Sequence, residues 1–322
     1  MDVERLTTRR VGRSELEVSV VGLGCNQLGR KVDREGTRRL LDACEQLGVT
    51  LLDTADVYGG GGGSESLLGE ALAGRRDKFV VATKFGMQIS GADGAPNAPR
   101  GSRRYIRWAV EGSLRRLRSD RIDLYFYHRP DGVTPLEETL GAMDELVREG
   151  SVRFLGCSNF SAQQVERAAT IASAEDLNGF VSLQNEYNLL NRGLEADVAP
   201  ACERHGLGIL PYFPLASGLL TGKYRRGEEA PAGSRLAGRG QVADAATFDV
   251  IEGLERFAAE RALSLLDVAI GGLAAQRAVA SVIAGATRPE QLEANARAAA
   301  WAPSPVDMRQ LDAIAPPPDR RG

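Results

Sequence analysis

The regular alternation of short apolar segments with amphipathic segments is the feature that most constrains the fold of this chain. Eight apolar segments, most of them rich in β-branched or aromatic residues, are typical of buried parallel strands. They are Val20–Gly24, Thr50–Asp53, Phe79–Lys84, Ile122–His128, Val152–Ser158, Phe180–Asn185, Gly208–Pro214 and Ala280–Gly285. The spacing of apolar residues between them predicts helices at Arg34–Leu47, Ser64–Leu72, Ser102–Leu117, Pro135–Glu149, Ser161–Ala174, Leu194–His205 and Pro289–Ala299.

Eight strands that alternate with helices predict an α/β protein built as a (β/α)8 TIM barrel, and an open doubly wound sheet is the structural alternative. The turn at Gly12-Arg13-Ser14 predicts a β-hairpin within residues 1–19, ahead of the barrel. Two further helices are expected near residues 246–261 and 264–276. Ser64 and Ser161 are candidate N-caps. No linker divides the 322 residues, so we expect one domain over 1–322, with a disordered tail at 316–322.

Composition narrows the class of protein and of partner. The apolar share of 43% and the charged share of 26% are ordinary for a globular protein, and the net charge of −3 gives no support for nucleic acid or an anionic membrane as a partner. No apolar run reaches the ~18 residues of a membrane span, and the first residues lack a signal-peptide core. Four dispersed cysteines and two distant histidines predict free thiols in a reducing cytoplasm and no protein-bound metal.

Four chemically active side chains follow the ends of successive predicted strands: Asp53, Tyr58, Lys84 and His128. Barrel active sites form at the C-terminal ends of strands, so these side chains are expected to share one pocket. A buried ammonium favours a phenolate, so Lys84 is expected to lower the pKa of Tyr58 from its usual value near 10, while Asp53 keeps Lys84 charged. Tyr58 is then a candidate proton donor and His128 a candidate partner for a carbonyl oxygen. The alternatives are a structural Asp–Lys ion pair and a core histidine.

Gly22-Leu-Gly24 does not support a Rossmann dinucleotide motif. The next glycine is Gly29, too far along the chain, and the helix that follows also begins too late. A tight barrel turn is the better interpretation. The chain also lacks a P-loop sequence, which leaves nucleotide hydrolysis without support.

Several motifs in one register resemble the aldo-keto reductase superfamily over roughly residues 10–300. They are Asp53-Thr-Ala-Asp-Val-Tyr58-Gly, Ala82-Thr-Lys84, Ile122-Asp-Leu-Tyr-x-Tyr-His128, Gly156-Cys-Ser158-Asn159-Phe, Leu183-Gln184-Asn-Glu-Tyr187-Asn and Pro214-Leu215-Ala-x-Gly-Leu-Leu-Thr-Gly-Lys223-Tyr. The resemblance is closest to branches that include bacterial general reductases and potassium-channel β subunits. It implies a nicotinamide-dependent (β/α)8 barrel without a Rossmann domain.

The resemblance also implies a role for each matching residue. Tyr58 would be the general acid, tuned by Lys84 and Asp53, with His128 in the pocket. The implied cofactor residues are Ser158, Asn159 and Gln184 at the nicotinamide carboxamide, Tyr212 stacked on the ring, Leu215, Ala216, Ser217, Gly218 and Lys223 at the pyrophosphate, Arg235 at the 2′-phosphate, Gly285, Thr287, Gln291 and Asn295 on the phosphate and adenine side, and Gly24. Independently of the resemblance, residues 285–287 precede a helix whose N-terminus favours an anion.

Two positions depart from the family pattern. Ala294 stands where a glutamate commonly contacts adenine, and Gly285 replaces a lysine found in some branches. A preference for NADPH over NADH is therefore expected to depend on Lys223 and Arg235, with Arg288 as a further candidate.

We therefore predict an NADPH-dependent oxidoreductase that reduces small aldehydes and ketones to alcohols by hydride transfer, in an open pocket. Channel β subunits differ at the position of His128, which favours catalysis here. The first alternative is an NADPH-binding sensor or regulatory subunit with slow turnover. The second is a nicotinamide-free isomerase or lyase. The sequence carries no signal for an oligomeric state.

Overall fold

A computed structural model describes residues 6–89, 96–238 and 242–319. The strands are β1 (Thr8–Arg10), β2 (Glu17–Ser19), β3 (Val21–Gly24), β4 (Leu51–Asp53), β5 (Val80–Phe85), β6 (Ile122–Tyr127), β7 (Val152–Ser158), β8 (Phe180–Gln184), β9 (Gly208–Ile209) and β10 (Val282–Gly285). The helices are α1 (Arg34–Leu47), α2 (Tyr58–Gly61), α3 (Gly63–Ala71), α4 (Arg103–Leu117), α5 (Leu136–Arg148), α6 (Ala162–Ala174), α7 (Val198–His205), α8 (Ala245–Ala259), α9 (Leu265–Ala274), α10 (Pro289–Ala298) and α11 (Pro305–Ile314).

Strands β3 to β10 form one closed, parallel barrel. Each strand from β3 to β9 pairs with the next in the chain, and β10 pairs with β3, with Val282 opposite Val21. The two remaining edges meet through backbone hydrogen bonds from Ile209 to Ala278 (2.7 Å) and from Ile283 to Pro211 (3.1 Å). This closure confirms the (β/α)8 barrel and excludes the open doubly wound sheet.

The expected N-terminal hairpin is present and closes the N-terminal end of the barrel. Strands β1 and β2 pair antiparallel, and the side chains of Val11, Leu16 and Val18 are at most 2% exposed. They pack with inward-facing residues of the barrel strands, such as Phe126 and Ile283. A larger apolar layer lies between the strands and the surrounding helices. Because the hairpin occupies the N-terminal end, the polar strand ends are left at the opposite, C-terminal mouth.

The predicted helices agree with the structure to within a few residues. Ser161 caps α6 in a capping box, as expected. Ser64 is not an N-cap, because α3 begins at Gly63 and the Ser64 hydroxyl donates to the Cys25 carbonyl instead. Helix α11 was not predicted from the sequence, although Ser304 caps it.

Some expectations fall partly outside the described residues. Residues 316–319 have no regular secondary structure, and the rest of the expected disordered tail, 320–322, is not described. That residues 1–322 form one domain stays a prediction. No helix in the described part of the chain combines the length and apolar character needed to cross a membrane.

Candidate active site

The centre of the C-terminal mouth is a buried ion pair between neighbouring strand ends. Lys84, at the end of β5, is fully buried, and its Nζ donates to Oδ2 of Asp53 (2.8 Å) and to the Thr54 carbonyl (2.7 Å). The other carboxylate oxygen, Oδ1, accepts from Gln184 Nε2 (2.8 Å). Burial acts to lower the pKa of Lys84, but Asp53 and Tyr58 together outweigh it and the pKa is raised. Lys84 is therefore a cation at neutral pH.

Tyr58 lies beside this pair, as the sequence predicts. It begins the one-turn helix α2, and Lys84 Nζ is 5.0 Å from the centroid of its ring. The expected lowering of its pKa is wrong. Burial, which disfavours the phenolate, outweighs the charge of Lys84, so the pKa of Tyr58 is raised. Tyr58 is therefore a neutral phenol that still carries its proton.

His128 completes the group at the end of β6. Its backbone N–H donates to the Phe85 carbonyl (2.8 Å), and its ring meets that of Tyr58 edge-on, with centroids 6.0 Å apart. Burial, aided by the charges of Lys84 and Arg129, lowers the pKa of His128 to about 3. Within the described residues, Nδ1 of this buried ring has no hydrogen-bond partner. The imidazole is neutral near pH 7 and carries one N–H donor.

A second buried ion pair supports the turn that carries Tyr58, and the sequence analysis missed it. Glu65, which is fully buried at the start of α3, accepts from Thr83 Oγ1 (2.5 Å) and from Arg116 Nε on α4 (2.7 Å). Thr83 directly precedes Lys84 on β5. The available signal was an acidic residue two positions after the glycine run and shortly before apolar Leu67 and Leu68.

The residues expected to hold the nicotinamide are linked to one another at the ends of β7, β8 and β9. Asn159 Nδ2 donates to the His128 carbonyl (2.9 Å) and to Ser158 Oγ (3.0 Å), and its Oδ1 accepts from Tyr212 OH (2.9 Å). Gln184 is bonded to Asp53, as described above. The structure therefore brings all four expected nicotinamide residues next to the catalytic group. In the free protein, protein groups already use both ends of the Asn159 amide.

The segment after β9 has backbone geometry suited to an anion. Leu215 has φ −101°, and it is followed by left-handed residues Ala216 (φ 44°), Ser217 (φ 59°) and Gly218 (φ 96°). A right-handed residue followed by left-handed ones is the backbone pattern of an anion-binding concavity. The N–H groups of Ala216 and Gly218 donate within the turn, to the carbonyls of Phe213 (2.9 Å) and Leu215 (2.7 Å). Left-handed φ is costly for residues with a side chain, so its presence at two adjacent positions marks a candidate functional turn.

Three cations surround this turn and the start of α10. The ammonium of Lys223 is 5.2 Å from the Tyr224 ring centroid, and it lies where a side chain at Gly218 would have to be. The guanidinium of Arg235 is 4.6 Å from the ring centroid of Phe213. Both side chains are exposed. Arg288, the further candidate, is also exposed and makes a long ion pair with Glu290 (3.8 Å).

The expected adenine side lies at the adjoining ends of β3 and β10. Gly24 pairs with Gly285, and a side chain at Gly24 would approach Ile283 to 3.2 Å. Oε1 of Gln291 accepts from the backbone and the hydroxyl of Thr287 (2.8 and 3.0 Å) at the start of α10. Asn295 is 3% exposed, and its Nδ2 lacks a partner within the described ranges. A buried donor of this kind is available to an acceptor on a bound group.

Comparison with known proteins agrees with a barrel whose mouth carries an acid, a phenol, an amine and an imidazole. The chain matches the aldo/keto reductase family over residues 20–316. It is 39% identical over 303 residues to a probable voltage-gated potassium channel subunit beta of Oryza sativa subsp. japonica, with 90% of each chain covered. It is 35% identical to a protein of the same description from Arabidopsis thaliana, with 95% of each covered.

A bacterial relative carries a different description. The chain is 34% identical to an uncharacterized oxidoreductase of Bacillus subtilis (strain 168) over 315 residues, 96% of this chain and 95% of the relative. The chain belongs to the aldo/keto reductase family.

Proposed function

We propose that this protein is an NADPH-dependent carbonyl reductase that converts aldehydes and ketones to alcohols. One observation carries the proposal: a neutral, protonated Tyr58 stands between a buried, charged Lys84 and a neutral His128 at the open end of the barrel. This arrangement supplies a proton, a means to stabilise the resulting phenolate and a hydrogen-bond donor. Reduction of a carbonyl group needs these groups together with a hydride source.

The proposed mechanism assigns one step to each group. A bound nicotinamide supplies the hydride that forms the new C–H bond at the carbonyl carbon. Tyr58 O–H gives its proton to the carbonyl oxygen, and the C=O π bond becomes the lone pair that accepts that proton. The phenolate left on Tyr58 is stabilised by the Lys84 ammonium, whose charge Asp53 maintains. His128 donates a hydrogen bond to the carbonyl oxygen, and its low pKa keeps it from competing as a proton donor.

The described residues fit a phosphorylated dinucleotide. The turn 215–218 has a backbone conformation suited to a pyrophosphate, and Lys223 and Arg235 offer exposed cations for a 2′-phosphate. Asn295 offers the unpartnered donor described above. These contacts support NADPH over NADH, because only NADPH carries the extra phosphate. A cytoplasmic location and a small carbonyl partner stay predictions.

A second candidate function is an NADPH-binding sensor or regulatory subunit with slow turnover. The descriptions of the rice and Arabidopsis relatives favour it. Both candidates need the cofactor site, so cofactor binding does not separate them. The rate of carbonyl reduction does.

The test replaces the proton donor and leaves the cofactor site intact. Wild type and Tyr58→Phe are titrated with NADPH and with NADH by protein fluorescence, and a panel of aldehydes is then offered at saturating NADPH. We expect both proteins to bind NADPH more tightly than NADH. We expect Tyr58→Phe to lose about 100-fold or more in kcat, as loss of a general acid does.

Three results would be decisive. Full activity of Tyr58→Phe would overturn the assignment of the acid. Tight NADPH binding by a wild-type protein that reduces no aldehyde would favour the sensor. Absence of binding to either nucleotide would exclude both.

A further inference from the structure

An exposed arginine at the rim of the candidate active site has no ionic partner among the described residues. Arg129 directly follows His128 at the C-terminal end of β6, and its side chain is exposed. Most of the chain's partly buried arginines hold a carboxylate, as Arg116 holds Glu65. In the part of the chain that the structure describes, no carboxylate lies within ion-pair distance of Arg129, and no hydrogen bond holds its guanidinium.

The carboxylate nearest to Arg129 in sequence, that of Asp131, is hydrogen-bonded to other groups. Asp131 accepts hydrogen bonds from the backbone of Gly101, Val133 and Thr134 and from the Thr134 hydroxyl (2.7 to 3.0 Å). Partial burial acts to raise the pKa of Asp131, but these hydrogen bonds outweigh it and lower the pKa to about 2. The Asp131 backbone N–H also donates to Tyr127 OH (2.8 Å). The loop that carries Arg129 is therefore braced, and Asp131 is not oriented to neutralise it.

The charge of Arg129 acts on the site itself. It contributes to the lowered pKa of His128, and it acts to lower that of Tyr212, whose ring is expected against the nicotinamide. Its backbone carbonyl lies against Gly86, at the end of β5, and a second guanidinium, that of Arg100, donates to the carbonyl of Gly86 (2.9 Å). The β5–β6 side of the mouth therefore carries two cations, and one of them, Arg129, acts on His128.

A negatively charged residue, opposite in sign to Arg129, follows β8 at the same mouth of the barrel. Glu186 is exposed, pairs with Tyr212 through the backbone and acts to raise the pKa of that residue. It makes no ion pair with Arg129 within the described residues. An exposed guanidinium so placed offers a planar pair of donors, which matches a carboxylate.

We propose that Arg129 binds a carboxylate carried by the substrate, and that the preferred substrates are aldehydes and ketones that bear an acidic group a few bonds from the carbonyl. The proposal rests on the proposed carbonyl reductase function and names the substrate class of the same site. Tyr58 and His128 address the carbonyl oxygen, and Arg129 addresses the anionic end. Arg129 is thus a specificity-determining residue and takes no part in the proton transfer.

The test compares two aldehydes of the same skeleton, one a carboxylate and the other its neutral methyl ester. 4-Formylbenzoate and methyl 4-formylbenzoate are reduced at saturating NADPH by wild type, Arg129→Gln, Arg129→Lys and a control, Arg277→Gln. Arg277 is 88% exposed and precedes β10, at the other end of the barrel. The control measures any general effect of removing one positive charge.

We expect wild type to prefer the carboxylate by about tenfold or more in kcat/KM, the size of one charge-assisted hydrogen bond. Arg129→Gln should lose that preference, because its KM should rise more for the carboxylate than for the ester. Arg129→Lys should retain part of the preference, and Arg277→Gln all of it.

The outcomes separate the two proposals. Equal use of both aldehydes by wild type, or an equal loss on both in Arg129→Gln, would overturn the carboxylate site and leave the reductase function standing. If wild type reduces neither aldehyde, nor any in the wider panel, the reductase function fails, and the carboxylate site fails with it. If Arg277→Gln lost as much of the preference for the carboxylate as Arg129→Gln, the effect would be due to net charge. That result would also overturn the proposed carboxylate site.

Discussion

His128 shows at the scale of one residue how burial fixes both a chemical role and a stability cost. Its ring is 8% exposed and its pKa falls from 6.5 to about 3 on folding. Between these two values the unfolded chain binds a proton that the folded chain does not. The free energy of unfolding therefore falls as the pH is lowered through this window. The stability cost of the buried neutral ring is absent well above the unfolded pKa of 6.5 and grows as the pH falls below it.

We predict that His128→Asn flattens this pH dependence. From pH 6.5 to pH 5 the wild-type group should cost roughly 1.5 kcal/mol of stability, because the slope approaches about 1.4 kcal/mol per pH unit. Urea unfolding at several pH values measures it. His205→Asn, which changes the chain's only other histidine, keeps His128 and should keep its contribution. An unchanged slope in His128→Asn would show that the ring is protonated in the folded state.

The sequence predicted the contacts of the candidate site better than its energetics. Asp53 and Lys84 could be placed together because both end neighbouring strands of a parallel barrel, where register brings strand ends side by side. The direction of the Tyr58 pKa was not predictable in the same way, since it depends on how burial compares with the charge of Lys84. The Glu65–Arg116 pair was missed because its partners lie on different helices, with no sequence spacing to relate them.

At the scale of an element, the glycines that follow Tyr58 differ in backbone conformation and in the space around them. Gly62 has φ +97°, and a Cβ there would lie 2.3 Å from Arg116 Nε. Gly60 has φ +80° but open space around it. Gly63 has neither a positive φ nor a neighbour within 4 Å. The run therefore combines backbone freedom with close approach to the arginine that holds Glu65.

Alanine substitution at these three glycines should give a graded result. Gly63→Ala should be neutral or stabilise by up to about 1 kcal/mol, because alanine favours a helix. Gly60→Ala should cost about 1–2 kcal/mol for left-handed backbone. Gly62→Ala should cost about 3 kcal/mol or more, since it also displaces Arg116 from a buried carboxylate. Denaturant unfolding gives the three values. Equal costs at Gly60 and Gly62 would mean that Arg116 moves freely.

The elements predicted well are those with strong periodicity, and the two missed helices, α2 and α11, carry little periodic signal. Helix α1 agrees with its predicted bounds because its apolar residues repeat on one face and Asp33 and Gly48 cap its ends. Helix α11 buries only Leu311 fully, so periodicity gave little signal for it. Strand β9 has two residues where seven were predicted. Backbone hydrogen bonds to the neighbouring chain segments nevertheless continue beyond it, from Leu210 to Leu183 (2.8 Å) and from Tyr212 to Asn185 (3.1 Å).

At the scale of the whole molecule, stability depends on the hairpin that fills one end of the barrel. Leu16 is 2% exposed and packs among the inward-facing strand residues. We predict that Leu16→Ala costs about 2–5 kcal/mol, the usual range for a buried leucine. Val306→Ala is the matched control, because Val306 is 52% exposed and should change stability by no more than about 0.5 kcal/mol. Thermal and urea unfolding measure the loss of stability in both variants. Equal losses would show that the hairpin is not part of the core.

The closure of the barrel by β10 also sets an order in time. Val21 on β3 pairs with Val282 on β10. Strand β3 therefore cannot complete its pairing until the ribosome has made β10. Until the ribosome has released β10, the nascent sheet has two unpaired margins, one on β3 and one on β9. Open strand margins are templates for pairing with other chains. The interval before release of the last strand is therefore when this protein is most exposed to misassembly in the cell.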